Sequence, residues 1–227
     1  LVSQVVDQYD TAITHVDEAF GDLLDFLRQN EIYDNTIIVA TSDHGEFFGE
    51  HRLVEHSKDI YEAALHVPLV VKRPKQQEGG RKDGIISIAN IPSLILAEAR
   101  LSEELLQGAK ALFANALPVI VENRYSRIKD LFGKPWSHRF QRVRTGIYQW
   151  PYKYILSSDK KNELYNLEDD PRELNNLMEQ QPETGEKILQ TLEQFQAGCS
   201  KAKESTDDRP LTEEDVSRLK ALGYITD

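Results

Sequence analysis

The sequence predicts an α/β fold over residues 1–110, followed over residues 111–227 by a smaller α+β part built on a small antiparallel sheet with helices. Three observations predict it. A long segment carries apolar residues at steps of three and four, a β-branched apolar run follows directly, and beyond about residue 101 the pattern changes to short strand-like runs separated by Gly, Pro and charged turns.

The first element is carried by Val2, Val5, Val6, Tyr9, Ile13, Val16, Phe20, Leu23, Leu24 and Leu27, which recur at the period of an amphipathic helix ending near Asn30. Asp34-Asn35 is a turn signal, and residues 36–41 (Thr-Ile-Ile-Val-Ala-Thr) read as a strand buried on both faces, so that helix and strand together point to a parallel sheet. Residues 67–71 read as a second strand, residues 74–84 as a charged loop, and residues 85–88 as a third strand leading into a helix with Leu94, Ile95 and Ala97. In the second part, residues 117–121, 142–150, 152–156 and 163–167 read as short antiparallel strands. Pro171 can open a helix over residues 171–178, and residues 183–195 form another. Residues 205–209 read as a polar linker. Thr212 with Asp215 resembles a capping box, and Val216, Leu219 and Leu222 make a small apolar face before Gly223.

Composition narrows the function classes. With 227 residues and 40% hydrophobic content the chain can bury an ordinary core. A net charge of −11 without a concentrated basic face argues against nucleic acid as a partner. Cys199 is the one cysteine, which excludes an intramolecular disulfide and a thiolate metal cluster built from this sequence. No run of eighteen apolar residues reads as a membrane segment. The first residues, Leu1-Val2-Ser3-Gln4, have neither a basic leader region nor an initiator methionine, so the chain reads as beginning in mid-protein, and a soluble protein, cytoplasmic or exported, is expected.

The stretch that carries chemistry is Thr41-Ser42-Asp43-His44-Gly45-Glu46, where a strand runs into a loop. In open α/β sheets, sites gather at the carboxyl ends of strands. Adjacent Asp43 and His44 can offer a carboxylate oxygen and an imidazole nitrogen to one divalent cation, while Gly45 lets the backbone turn beside them. On residue types alone the pair serves equally as a turn cap and an ordinary loop histidine.

The longer pattern resembles the C-terminal signature of the sulfatase family, of the alkaline phosphatase superfamily. It comprises residues 34–46, then Gly49-Glu50-His51, His56, Tyr61-Glu62 and residues 67–71. Further along, Leu164-Tyr165-Asn166-Leu167, Asp170-Pro171, Asn175-Asn176-Leu177 and residues 219–224 agree in order. The resemblance implies an alkaline-phosphatase-like α/β core and makes Asp43 and His44 metal ligands. Their chemistry suits Ca²⁺ first, with Mn²⁺ or Mg²⁺ as alternatives. It places His56 where the family has a lysine or histidine that contacts sulfate or protonates the leaving group, with Lys58 as the alternative cation for substrate binding. For Glu46, and for Glu50 with His51, a structural role is expected.

Sulfatases also need a formylglycine made from Cys or Ser in a Cys/Ser-x-Pro-x-Arg motif, and an upstream Asp pair. Neither motif occurs in these 227 residues, and Cys199 lacks the following Pro and Arg. The resemblance therefore implies the C-terminal portion of a hydrolase acting on a small-molecule or carbohydrate sulfate ester, inactive and poorly stable alone. A related phosphodiester or phosphonate monoester hydrolase, and a non-catalytic pseudoenzyme, are the alternatives. Arg139, Arg142 and Arg144 read as a solvated strand face in preference to an anion site, and Tyr148, Trp150, Tyr152 and Tyr154 as sheet packing.

Overall fold

The computed structural model describes residues 2–99, 118–125, 137–199, 212–213 and 216–217. Residues 1–194 make one compact unit and residues 195–227 a second. Helix α1 spans Val2–Gln29. It stops in a Schellman-type reversal, in which the Ile32 amide donates to the Leu27 carbonyl (3.0 Å), the Glu31 amide donates to that of Arg28 (3.0 Å), and Glu31 takes the left-handed conformation at φ 59°. The apolar stripe of α1 is present as expected, but none of its residues is buried. Val16 is 69% exposed and Phe26 57%. Tyr9 does meet Phe48 edge to face at 5.0 Å.

Strand β1 (Ile38–Thr41) follows a 3-10 turn, Tyr33–Asn35. Strand β2 (Phe47–Phe48) pairs with β3 (Val54–Glu55), and helix α2 (Glu62–Leu65) leads to β4 (Leu69–Lys72). β1 pairs with β4 antiparallel, Thr41 opposite Leu69 and Ile38 opposite Lys72. Helices alternate with strands as expected of this fold class, yet every strand pair among the described residues is antiparallel. Nor is β1 buried on both faces, because β4 is its one paired neighbour here. The third strand expected at residues 85–88 does not form. The Ser87 hydroxyl accepts the Ala89 amide (3.3 Å), which opens a 3-10 turn at Ile88–Asn90, and Pro92 then starts α3 (Ile91–Glu98).

A four-stranded antiparallel meander, β5 (Val119–Arg124), β6 (Val143–Gln149), β7 (Tyr152–Ser157) and β8 (Glu163–Asn166), makes the second sheet in simple sequence order. Alternation along its strands sends two side-chain sets to opposite faces. Ile147, Tyr154 and Leu164 pack with Ile188 and Leu192 of α4 (Pro182–Gly198). Ile155 and Tyr165 pack on the other face with Phe47, Leu53, Ile60, Tyr61 and Ala64. Both faces of the meander are thus covered, and the loops that follow β1 supply one of the covers.

That second cover corrects the reading of Arg142 and Arg144 as a solvated strand. Their side chains are 11% and 1% exposed, because the segment between β3 and α2 lays Asp59 across them. The helix expected over residues 171–178 is replaced by turns. The Asp170 carboxylate accepts the Asn175 amide (2.7 Å), and the Asn176 side chain accepts the amides of Leu164 (3.1 Å) and Met178 (3.0 Å), so side chains capture the groups a helix would have paired. The linker at residues 205–209 and the apolar positions Leu219 and Leu222 lie outside the described residues, as does Asp215.

Candidate active site

The site is built on the loop that leaves β1. Gly45 fixes where that loop runs: its amide donates to the Ala64 carbonyl at 2.8 Å, and a Cβ at this position would lie 2.2 Å from the Ala63 carbonyl oxygen. Only glycine lets the backbone lie this close to α2. Asp43 and His44 therefore stand immediately before a pinned point.

Asp43 is two-thirds exposed, and its Oδ1 accepts the His44 amide at 3.0 Å. His44 Nδ1–H donates to the Gly45 carbonyl at 2.9 Å, which leaves the lone pair on Nε2. That Nε2 lies 3.6 Å from Asp43 Oδ2. With metal–ligand bonds of about 2.0–2.5 Å, two donors at this separation can be neighbours in one coordination shell. Behind them, the His56 ring stacks on that of His44 with centroids 4.2 Å apart, and His56 Nδ1–H donates to Glu46 Oε2 at 3.0 Å. The other Glu46 oxygen, Oε1, is buried without a hydrogen-bond partner. His44, Glu46 and His56 bring one donor atom each within 4.8 Å of one another. A carboxylate–imidazole set with an orphaned buried oxygen fits a divalent cation, which would offset the cost of that unsatisfied atom.

The loop carrying His56 is strained. His51, Arg52, Glu55 and Ser57 all hold left-handed φ values between 50° and 63°, and Gly49 sits at 122°. Each non-glycine residue in that region costs on the order of 1–3 kcal/mol, and such strain persists only where the surroundings enforce it. Here they do. His51 stacks flat on Tyr61 at 3.6 Å, its Nε2–H donates to the Arg172 carbonyl (3.1 Å), and Arg139 donates to the His51 carbonyl (2.6 Å). Burial holds the His51 imidazole below its ordinary pKa.

Of the residues expected from the sequence, Asp43, His44 and His56 converge. Lys58 does not turn towards them: its ammonium donates to the Val54 carbonyl (2.7 Å) and the Glu55 carboxylate (2.6 Å). Glu46, expected only to be structural, is the residue that holds His56. Nothing in the spacing of Glu46 and His56 signals their pairing, because the contact depends on the left-handed turns between them. Asp43 and His44 open onto a broad cleft also lined by Glu62, Pro68, Arg81 and Trp150.

Residues 2–99 match the sulfatase family model, and the chain belongs to the sulfatase family of the alkaline phosphatase superfamily, whose activity class is sulfuric ester hydrolysis. The chain is 30% identical to the uncharacterized sulfatase YidJ of Escherichia coli over 167 residues, covering 72% of this chain and 32% of that protein. It is 30% identical to an N-acetylglucosamine-6-O-sulfatase of Bacteroides thetaiotaomicron over 203 residues, covering 85% and 36%. Among solved structures, that of BT4656 in complex with its substrate D-glucosamine-2-N,6-O-disulfate superposes with TM-score 0.63 at 25% identity, over 82% of this chain and 39% of that one. The phosphonate monoester hydrolase of Agrobacterium radiobacter shares the fold, with TM-score 0.60 at 20% identity over 89% and 42%. The chain thus spans about a third of the length of the curated relatives it matches. Among the described residues no helix is long and apolar enough to cross a membrane.

Proposed function

We propose that this chain is the C-terminal portion of a metal-dependent sulfatase that hydrolyses sulfate monoesters of a carbohydrate or other small molecule. In this reading residues 1–110 belong to the catalytic core and residues 111–227 to a C-terminal subdomain. The observation that carries it is the convergence of Asp43, His44 and His56 at the end of β1, with the lone pair of His44 and a carboxylate oxygen of Asp43 facing each other at 3.6 Å. Two further facts support it. The chain spans about a third of its curated relatives, and no residue of the apolar stripe of α1 is fully buried.

Asp43 and His44 would hold the cation, Ca²⁺ or alternatively Mn²⁺ or Mg²⁺, and Glu46 stands near enough to contribute through its buried oxygen. When bound, the metal supplies positive charge against the ester's anionic oxygens. His56, oriented by Glu46 through Nδ1, would in its doubly protonated form donate a hydrogen bond or proton from Nε2 to the oxygen of the departing alcohol. Lys58 is tied to the Val54 carbonyl and the Glu55 carboxylate, so a substrate contact by it would require that pairing to break. The nucleophile, a formylglycine in this family, and the remaining metal ligands would come from other parts of the intact protein, so the isolated chain is expected to be inactive and to bind metal weakly. The broad cleft suits an ester larger than inorganic sulfate.

The test is Asp43→Ala in the intact protein, with sulfate ester hydrolysis and metal content both measured. Loss of activity by more than about a hundredfold together with loss of bound metal is expected. Near wild-type hydrolysis and metal content would overturn the assignment, and retained metal with phosphonate but not sulfate ester turnover would replace it with the phosphoryl alternative.

A further inference from the structure

Resting on the reading of Asp43 and His44 as ligands, we propose that the pair of buried Lys153 and partly buried Glu62 is a positioning device that sets the metal loop from the neighbouring sheet. Lys153 lies on β7, with its side chain wholly inaccessible to solvent. Its ammonium sits between two carboxylates, 2.9 Å from Glu62 Oε1 and 2.7 Å from Glu173 Oε1. Tyr148 of β6 donates its hydroxyl to the same Glu62 oxygen at 2.5 Å. Glu173 also accepts the backbone amide of Glu62 at 2.6 Å. Glu62 is the first residue of α2, whose N-cap position, Tyr61, makes no side-chain capping bond. A carboxylate 111 positions further along the chain thus satisfies an amide that an N-cap side chain would ordinarily serve.

The consequence lies one turn further on. α2 is only four residues long, too short to hold itself. Its placement comes from the charges at Glu62 and from Ala64 in the core. The carbonyls of Ala63 and Ala64 are the surface against which Gly45 is pinned, by a 2.8 Å hydrogen bond and by a separation that leaves no room for a Cβ. The path from Lys153 to His44 is therefore short and made of stiff pieces: an ion pair, one helical turn, one backbone hydrogen bond and one peptide. Burying Lys153 and Glu173 outright and Glu62 in part is costly and needs good mutual geometry. Here the cluster falls where the meander meets the element supporting the metal loop, which is where such geometry fixes a loop's place.

The experiment uses the intact protein and two readouts: hydrogen exchange of the Gly45 amide compared with amides of β6 and β7, and the dissociation constants of Ca²⁺ and Mn²⁺ titrated separately. Lys153→Met is expected to speed Gly45 exchange at least tenfold, with the β6 and β7 amides within twofold. Removing a group that orients a ligand typically weakens metal binding about 10–100-fold, and that loss is expected here. Lys153→Arg should recover most of both. A folded Lys153→Met protein with Gly45 exchange and both constants within twofold of wild type would overturn the proposal. Should Lys153→Met not fold, Tyr148→Phe decides, since it removes one bond to Glu62 and leaves no charge unpaired. A several-fold rise in both readouts supports the proposal, and no change in either overturns it. Failure of the metal assignment would appear separately, as Ca²⁺ and Mn²⁺ affinities untouched by Asp43→Ala, while the exchange measurement reports on positioning regardless.

Discussion

The loop after β1 and the meander that supports it solve opposite problems. Residues 43–57 are half-exposed, bent through several left-handed residues, and include a buried carboxylate oxygen with no partner. The meander buries more charge and sets it in ion pairs, although Arg144 Nε is itself buried without a hydrogen-bond partner. Arg144 reaches Glu163 at 2.7 Å and lies 3.5 Å from Asp59, Arg142 binds Asp59 at 3.0 Å, and Tyr61 and Tyr165 both donate to Glu163. Burial alone would raise the Glu163 carboxyl, yet hydrogen bonding and charge from Arg144, with the two tyrosines donating, hold it below its usual range. The difference is one of multiplicity: each buried charge of the network meets two or more partners, whereas Glu46 in the loop is held through one oxygen by His56 and leaves the other unsatisfied. Substitutions in the meander should register first as lost stability, and substitutions in the loop as lost function on an intact fold.

The largest effect that would test this contrast is Arg144→Met. It leaves Asp59 with Arg142 alone and Glu163 with its two tyrosine donors but no cation, and removing one partner from a buried ionic network costs about 3–5 kcal/mol. Denaturant unfolding of the intact protein should show that loss, and a change below about 1 kcal/mol would mean that the network is decorative. Next comes Gly45→Ala, where the new methyl must displace the Ala63 carbonyl. Overpacking of this kind costs about 1–3 kcal/mol, and metal affinity should fall with it, since His44 is the adjacent residue. Retained affinity would show that the loop can shift without disturbing its ligands.

Glu46→Gln should do the reverse of Arg144→Met. Stability should stay within about 0.5 kcal/mol, because a half-satisfied buried carboxylate is replaced by a neutral group of the same shape. Turnover should still fall on the order of tenfold as the His56 ring loses its fixed orientation. Unfolding curves and steady-state rates on one preparation decide it, and a large stability loss would place Glu46 with the meander.

The smallest effect is a pH dependence. The folded His51 pKa lies below its ordinary 6.5, so between the two values the unfolded chain binds more protons. The contribution of this group is complete above 6.5 and declines as pH falls through that value towards the folded pKa. In His51→Phe the unfolding midpoint should therefore fall less between pH 7.5 and pH 5.5 than in the wild type. Equal slopes would remove His51 from the account.

Much of this architecture was legible in the sequence because periodicity is a local property. The three- and four-residue steps of α1 and the short strand runs of the meander each gave their element within a few residues. The segment from Thr41 to Glu46 likewise set the candidate ligands Asp43 and His44 side by side in plain order, since adjacent residues need no fold to be neighbours. Where local reading failed, a competing local partner had won. Ser87 and Pro92 turned a β-branched run into the start of a helix, and the side chains of Asp170 and Asn176 took the amides that a helix after Pro171 would have used.

What the tertiary structure alone decided is which charges are buried and which histidine faces which carboxylate. Arg142 and Arg144 alternate as on a solvated strand, and nothing in that alternation announces Asp59 lying across them. Glu46 and His56 meet because several residues between them take left-handed backbone conformations that no propensity favours. Glu62, Lys153 and Glu173 meet from three distant stretches of chain. Periodicity fixes which face of an element is apolar, but a pair of charges is placed by the packing of whole elements against one another. That packing is settled by the sum of buried surface and satisfied hydrogen bonds, which no short stretch of sequence contains.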